Sequence, residues 1–392
     1  MRLLTALLFC ACWPAAPALG ADGSASKGGA AYLDFNLGAR AAGMGRAQAA
    51  VPTEDVTSMH ANNALLALQH GRTASFSTGN IGLGRNIYFA GYAHPLSLRQ
   101  EQWCAKDMLD DNLTPEERAA VFSASGESPP PSDPGCTDAG AVEDAAAPGT
   151  RHWEETLVKT RRLDMAFGAG ITQFGIGGLT GRSEFGALEA AFEDTERAIY
   201  FDYAMRPYEN LTVGIGGKYL TQKLQAATAK GASFDAGIWY GVPRISRGEL
   251  SLALVGRDLG GSLKWEVPDP ELGAKFSYRE PVPVKLLFGA AYKTSGGHWL
   301  LAADVRKDAG RKTRLYAGLE LRALSAFSLR AGTSDNNPTA GFSWTPGGKR
   351  IALRFDYSYE YDLQSLYSPQ WLTLTVRFLP PPAVAVQPAQ KS

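Results

Sequence analysis

Apolar and polar residues alternate along most of this chain. The clearest stretch is 351–361. There Ile351, Leu353, Phe355, Tyr357, Tyr359 and Tyr361 share one side, and Ala352, Arg354, Asp356, Ser358 and Glu360 share the other. Successive strand side chains point to opposite faces, so a period of two predicts a strand with one apolar and one polar side. The pattern recurs from residue 71 onward. It predicts strands at 71–79, 85–95, 162–174, 195–206, 210–222, 231–242, 249–258, 283–294, 297–307, 312–322, 325–333, 338–346, 349–361 and 370–378.

Fourteen is an even number, and strands of about 9–11 residues suit a tilted crossing of a bilayer. After the first residues no run of about 18 apolar residues occurs, so no transmembrane helix is expected. The connections after strands four, six, eight, ten and twelve are short, and those after three, five, seven and thirteen are longer. Short periplasmic turns opposite longer external loops are the outer-membrane rule. The expected fold is all-β: a transmembrane antiparallel β-barrel of about 14 strands, in the bacterial outer membrane and in contact with its lipid. The final strand, WLTLTVRF, ends its alternation on Phe378, like the C-terminal signal read by outer-membrane insertion machinery.

The segments outside the barrel read differently. Arg2, the apolar run Leu3 to Phe9 and Ala18-Leu19-Gly20 predict a secretory signal peptide over 1–20. Cys12 fits a lipoprotein site poorly. Residues 21–70 form a Gly/Ala-rich stretch, with Gly43 and Gly45, followed by VPTEDVTSMHANNALLAL, which contains Asn62 and Asn63. The second part predicts a short helix capped by Asp55 or Thr53. Standing before strand one, 21–70 is expected to be a helical or irregular hatch in the lumen. Residues 97–160 interrupt the barrel, 71–378, with 13 acidic and 5 basic residues, hence 5 − 13 = −8, and with Pro129-Pro130-Pro131. Within them LTPEERAAVF predicts a capped helix, with Thr114 at the N-cap and Glu117 three positions on. Cys104 and Cys136 are an even pair in an exported chain and predict a disulfide worth about 3–4 kcal/mol to that loop. Residues 379–392 are a Pro-rich tail expected to be disordered.

Composition narrows the function. The 39 basic and 39 acidic residues leave no basic footprint for nucleic acid. His60, His70, His94, His152 and His298 lack metal-ligand spacing, no Gly-x-Ser-x-Gly elbow occurs, and GIGGLTG and GIGGKYL do not open a helix after a parallel strand. No catalytic, metal or cofactor site is expected, and the chain does not read as an enzyme. What remains is the inward charge: Asp164, Asp202, Arg206, Lys218, Asp235, Lys285, Asp304, Arg306, Glu320, Arg322, Arg330, Arg354, Asp356, Glu360 and Arg377. Asp304 and Arg306 beside Glu320 and Arg322 suggest ion-pair ladders on the lumen wall, continued by Arg354 and Asp356. Structural rigidity is the plainer reading of such ladders.

Several segments, in order, resemble the PorV/PorQ family, a branch of the FadL-type barrels. They are LGARAAGMGRAQAAVPTEDVTSMHANNALLAL, then LTVGIGGKYL with ASFDAGIWY, then VPVKLLFGAAYK, LLAADVRKD, YAGLELRA, FSLRAGTSDN and ALRFDYSYEYD. Two departures stand out: Asn63 where the family usually has Pro, and the 97–160 insertion. The resemblance implies a fourteen-stranded barrel with an N-terminal hatch. It implies an outer-membrane component of transport or protein secretion, with secretion-machinery or periplasmic proteins as partners. The alternatives are a FadL-like channel for hydrophobic small molecules, and a structural barrel without a transport role.

Overall fold

A computed structural model describes residues 29–107, 153–182, 188–243, 248–269, 274–346, 351–363 and 367–378, with a few single positions between them. The expected signal peptide, the tail, Cys136 and hence the Cys104–Cys136 bridge lie outside the described residues.

The strands are β1 (Arg72–Gly82), β2 (Arg85–Asp107), β3 (Trp153–Arg182), β4 (Leu188–Tyr208), β5 (Leu211–Leu224), β6 (Ala227–Val242), β7 (Gly248–Asp269), β8 (Ala274–Pro281), β9 (Lys285–Thr294), β10 (Trp299–Asp308), β11 (Arg314–Leu324), β12 (Phe327–Ser334), β13 (Asn337–Trp344), β14 (Ile351–Glu360) and β15 (Gln370–Phe378). Neighbours are antiparallel. β1 pairs with β15 from Arg72↔Phe378 to Asn80↔Gln370, and β6 pairs with β7, which closes the sheet. The fifteen segments make fourteen staves. Gly248–Arg257 of β7 pairs with β9, and Ser262–Asp269 of β7 pairs with β8, so β8 and β9 together form one stave. Between the two halves of β7 the backbone turns left-handed at Asp258 (φ 57°) and Gly260 (φ 63°), and the register against β6 shifts. Extra residues in one strand of this kind kink it and re-aim the side chains nearby.

The alternation sorts as the sequence predicts. Phe76, Phe201, Ile215, Phe234, Leu254, Phe288, Leu301 and Leu315 are exposed on the outside, while Thr73, Ser75, Asp304, Asp356, Ser358 and Thr375 are buried inside. A sheet with its apolar side out and its polar side in has no stable form in water. In a bilayer it does, because closure leaves no unpaired strand edge in the hydrocarbon. The chain is an outer-membrane β-barrel.

Strand lengths differ from expectation: 97–107 and 153–160, expected in the insertion, continue β2 and β3, and further differences lie on the side away from the barrel's termini. Most of 175–194, 223–230 and 259–282, predicted as loops, is strand in β3 to β8. β8 is exposed at nearly every position, and its alternation, Phe276 and Tyr278 against Lys275, Ser277 and Arg279, is too short to mark it off from a loop.

Residues 96–165 form a compact unit of their own. In it Ser97 Oγ donates to Asp164 Oδ1 at 2.8 Å. The predicted capping box is formed: Thr114 N and Oγ1 both donate to Glu117 Oε2 at 2.8 Å, and Glu117 N donates back to Thr114 Oγ1 at 3.4 Å.

Phe288→Lys places an ammonium on the lipid face of β9. We expect it to destabilise the inserted barrel by about 2–4 kcal/mol if the site lies at mid-membrane. Urea unfolding from vesicles measures this, and an unchanged midpoint would invert the assignment of faces.

Candidate functional site: the lumen and its hatch

Residues 29–70 lie inside the barrel and are buried almost throughout. Little of this segment is regular. It holds a 3₁₀ turn at Ala31–Asp34, α1 (Ala39–Gly43), α2 (Ser58–Ala61) and a second 3₁₀ turn at Asn63–Leu68. The single helix expected near Asp55 is broken at Asn62, whose backbone is extended. Asp55 does act locally, since its Oδ1 accepts from Thr57 N at 3.0 Å.

Irregular backbone in a lumen must find partners for its N–H and C=O groups. The wall supplies them. Ala39 N donates to Thr373 Oγ1 at 2.8 Å, Gly45 N to Thr339 Oγ1 at 3.0 Å and Val56 N to Ser75 Oγ at 3.1 Å. Ala50 O accepts from Trp239 Nε1 at 3.0 Å and from Ser251 Oγ at 2.8 Å. Asn62 Nδ2 bridges Ala49 O (2.9 Å) and Ile238 O (3.4 Å), and Asn63 Nδ2 donates to Asp235 O at 3.4 Å.

Close seating needs wall positions without side chains. A Cβ on Gly318 would meet the carbonyl of Met44, and one on Gly332 would come within 2.6 Å of Gly45 N. A Cβ on Gly214 would sit 2.5 Å from Ala64 N, and one on Gly289 2.8 Å from Ala49 Cβ. Gly43 lies against Gly341, and Gly45 itself adopts φ 59° with wall carbonyls where its Cβ would go. The hatch glycines and the wall glycines are therefore two halves of one backbone-to-backbone contact.

Charge fixes what the glycines admit. Asp34 receives Lys285 (2.9 Å), Arg306 (2.7 Å) and Arg311 (2.8 Å). Lys285 also meets Asp258 (2.5 Å), which meets Lys218 (2.5 Å), which meets Asp235 (2.8 Å). A second chain runs through Arg40, Glu320, Arg330, Asp356, Arg354 and Asp55, with contacts of 3.0, 2.7, 2.9, 2.8 and 3.4 Å. Arg377 pairs with Glu54. Burial opposes ionisation of Asp34, but Lys285 and Arg306 hold its carboxyl well below the usual range. Burial and the Arg257 guanidinium push His60 well below its ordinary value, so it is neutral. Arg257 Nη2 lies 2.8 Å from His60 Nε2 and donates to Leu33 O at 3.2 Å.

The expected wall ladder is corrected by this arrangement. Asp304 and Arg306 do not stand beside Glu320 and Arg322; their cross-strand partners are Tyr316 and Arg314, and Glu320 faces Leu300. Asp304 instead accepts from the backbone N–H groups of Gln48 and Ala49, both at 2.8 Å. Arg322 is exposed at the end of β11. The inward charges serve both the wall and the hatch: Glu320, Arg330, Asp356 and Arg354 form a ladder on the wall, and Asp34, Arg40 and Asp55 of the hatch join the wall's charges. Asp34, Arg40 and Asp258 were missed. The signal for Asp258 was Arg-Asp-Leu-Gly-Gly, a charged residue next to a glycine pair inside a strand pattern.

The two ends of the lumen differ. Away from the termini, Leu37 of the hatch belongs to one buried apolar cluster with Ile81, Ile87, Phe174 and Trp371, and Phe35 stacks on Phe174 at 5.6 Å. At the end that carries the barrel's termini, a polar chamber of about 470 Å³ is lined by Arg40, Lys293, Arg322, Arg330, Arg354 and Arg377 among others. Beside it lies a chamber of about 380 Å³ bordered by Trp239, Val242, Leu250 and Leu300. Among the described residues, no group of three or more His, Cys, Asp or Glu is placed to hold a metal ion.

No protein-family model and no curated protein matches the sequence. In fold the chain is similar to a Pseudomonas aeruginosa FadL homologue, at 11% identity, 87% of this chain, 98% of that one and a TM-score of 0.44. It is similar to the Ralstonia pickettii toluene transporter TbuX, at 12% identity, 88% and 100% coverage and a TM-score of 0.43. It is also similar to the Pseudomonas putida toluene transporter TodX, at 11% identity, 87% and 96% coverage and a TM-score of 0.43. These are likenesses of fold, to barrels of the FadL type, and the PorV/PorQ resemblance has no counterpart among them.

Gly318→Ala should leave the barrel inserted and unseat the hatch, seen as faster proteolysis within 40–60. Gly217→Ala, whose added Cβ would meet nothing nearer than 3.9 Å, should leave the hatch protected. Acid should loosen the hatch in the same assay. Asp34 contributes stability that is present above the usual carboxylate range and lost as the pH falls through and below it. Neutral His60 contributes stability present above about pH 6.5 and lost below it, because an unseated hatch takes up the proton that the buried ring refuses. Protection should therefore decline between about pH 6.5 and 4, and a flat profile would contradict this.

Proposed function

We propose that this barrel carries small hydrophobic molecules across the outer membrane, with residues 29–70 as its gate. The observation that carries the reading is the apolar cluster between hatch and wall on the side away from the termini. Phe35, Leu37, Ile81, Ile87, Phe174 and Trp371 meet there. Ion pairs alone would plug a barrel, and a rigid wall gains nothing from aromatic side chains facing inward at one end. Moving the hatch would open a mostly apolar space there, and such a space beside a few fixed polar groups is the usual form of a small-molecule site.

The gate is held by hydrogen bonds, glycine contacts and the three cations on Asp34. Passage then requires displacing part of the hatch, and Asp34 is the residue whose loss frees most of it. Asp34→Asn leaves three cations partly buried without a full countercharge, a change that costs about 3 kcal/mol or more. It should raise the leak of hydrophobic dyes into cells and lower hatch protection.

A second reading, a component of protein secretion, is favoured by one observation: residues 96–165 form a compact unit of their own. One experiment separates the two. Cells producing the full chain or a form lacking about residues 100–158 are assayed for uptake of a labelled hydrophobic compound and for protein partners in mild detergent. Transport predicts saturable uptake that survives the deletion. A partner recovered only with the full chain, with no uptake by either form, would favour secretion.

A further inference from the structure

We infer that the outer surface of the barrel, at the end away from its termini, binds the phosphorylated headgroup of an outer-leaflet glycolipid through a row of cations across β4 to β8. The inference rests on the barrel's membrane setting and not on the transport reading.

The row follows from strand register. Arg197 on β4 pairs with Thr221 on β5, Thr221 with Lys230 on β6, Lys230 with Lys264 on β7, and Lys264 with Arg279 on β8. Directly opposed residues share a face of the sheet, and here it is the outer one. The chain neighbours Ala198, Leu220, Ala229 and Leu263 point inward and are fully buried, whereas Arg197, Lys230, Lys264 and Arg279 are exposed. Five adjacent strands thus carry Arg, Thr, Lys, Lys and Arg abreast, over about 19 Å at the usual strand spacing. Lys223 and Lys275 face the same way and are exposed. Glu193 and Glu266 are the carboxylates at the described outward positions of these strands.

Such a row does nothing for the barrel by itself. Like charges directly opposite one another are destabilising, and both Lys230–Lys264 and Lys264–Arg279 are pairs of this kind. Lys264 comes within 3.9 Å of Glu266, but both side chains are about half exposed, so the contact is worth little. Arg197 Nε donates at 3.0 Å to Gln173 Oε1, a neutral partner. Among the described residues, Lys230 and Arg279 have no carboxylate within ion-pair reach.

The membrane supplies the missing anion at the right depth. On the outer face the nearest exposed apolar side chains are Ile199 and Tyr219, each two positions from the row, Phe234, four positions from Lys230, and Leu286, seven positions from Arg279. The row therefore begins just beyond the apolar band at Arg197 and climbs away from it toward Arg279, as residues abreast on tilted strands must. Short turns at the terminal-bearing end mark the periplasmic side, which places the row in the outer leaflet. A phosphate monoester carries about −1.5 to −2 charges at neutral pH, and the guanidiniums at either end of the row can each grip one through two parallel hydrogen bonds. A headgroup with two phosphates engages the row at more than one height. A zwitterionic headgroup brings no net charge to it.

The test titrates the full-length protein in detergent micelles with diphosphorylated lipid A, phosphatidylglycerol and phosphatidylethanolamine, and reads the complexes by native mass spectrometry. We expect a one-to-one complex with lipid A, at least about tenfold tighter than with either phospholipid. Each Lys or Arg beside an anionic lipid surface contributes about fivefold. Arg279→Gln should then weaken lipid A by about fivefold, and Lys230→Gln combined with Lys264→Gln by about thirtyfold. Without lipid, the double variant should unfold in urea at the same midpoint or higher, because repulsion is relieved. Arg72→Gln removes an exposed cation at the opposite end of the barrel and should leave the affinity unchanged. Lipid A held no tighter than phosphatidylglycerol, an affinity unmoved by the row variants, or an equal loss in Arg72→Gln would each overturn the site. Inorganic pyrophosphate is the arm for a free anion: if it displaces lipid A at equal concentration, the row recognises phosphate alone and the lipid assignment fails.

Discussion

A strand that turns its apolar side to lipid must turn its polar side inward, and every other feature of this molecule answers to that inversion. In a water-soluble sheet the inside is filled by side chains that want no partner. Here the inside is lined by carboxylates, guanidiniums and hydroxyls that do. Closing the sheet removes its edges but leaves a lumen of groups needing hydrogen bonds and countercharges. The N-terminal segment is the material that meets them. Its amides go to Thr373, Thr339, Ser75 and Asp304, and its Asp34, Arg40 and Asp55 complete ion pairs the wall leaves open.

This division of labour explains why a segment so poor in regular structure can be so well fixed. Two short helices and two 3₁₀ turns have little stability of their own. Almost every anchor they have is on the wall, and the wall accommodates them by glycine. Gly214, Gly289, Gly318 and Gly332 are not loose points in strands. They are the places where two backbones come together, and strand pairing on either side holds them in line.

The barrel was legible because lipid enforces alternation residue by residue: Ile351 through Tyr361 could be read directly, and the stave count followed. The strand ends were not: β8 is exposed at nearly every position, and in the far half of β7 the alternation of Leu263, Trp265 and Val267 with Lys264 and Glu266 is too short to stand out from a loop. The inward charges of the site were also legible, Lys218, Asp235, Lys285, Asp304, Arg306 and Glu320 among them, since parity alone decides which side a residue takes. Their partners were not. Pairing depends on register and on where an irregular segment lies, and neither leaves a local mark in sequence. Asp304 illustrates the gap: its inward position was predictable, but its use as an acceptor for two amides 255 and 256 residues earlier in the chain was not.

That separation along the chain has a consequence for biogenesis. The hatch precedes all the strands, yet it bonds to β10, β13 and β15 near the other end, with Ala39 and Thr373 lying 334 positions apart. Contacts of such span form late, since the intervening chain must first be ordered. A segment made before every strand is thus among the last to find its place, and until β1 meets β15 it has no complete surface to lie on. Assembly must hold an unstructured leader at the open seam while the staves gather and then shut around it, as a cooper closes a cask with its contents already inside.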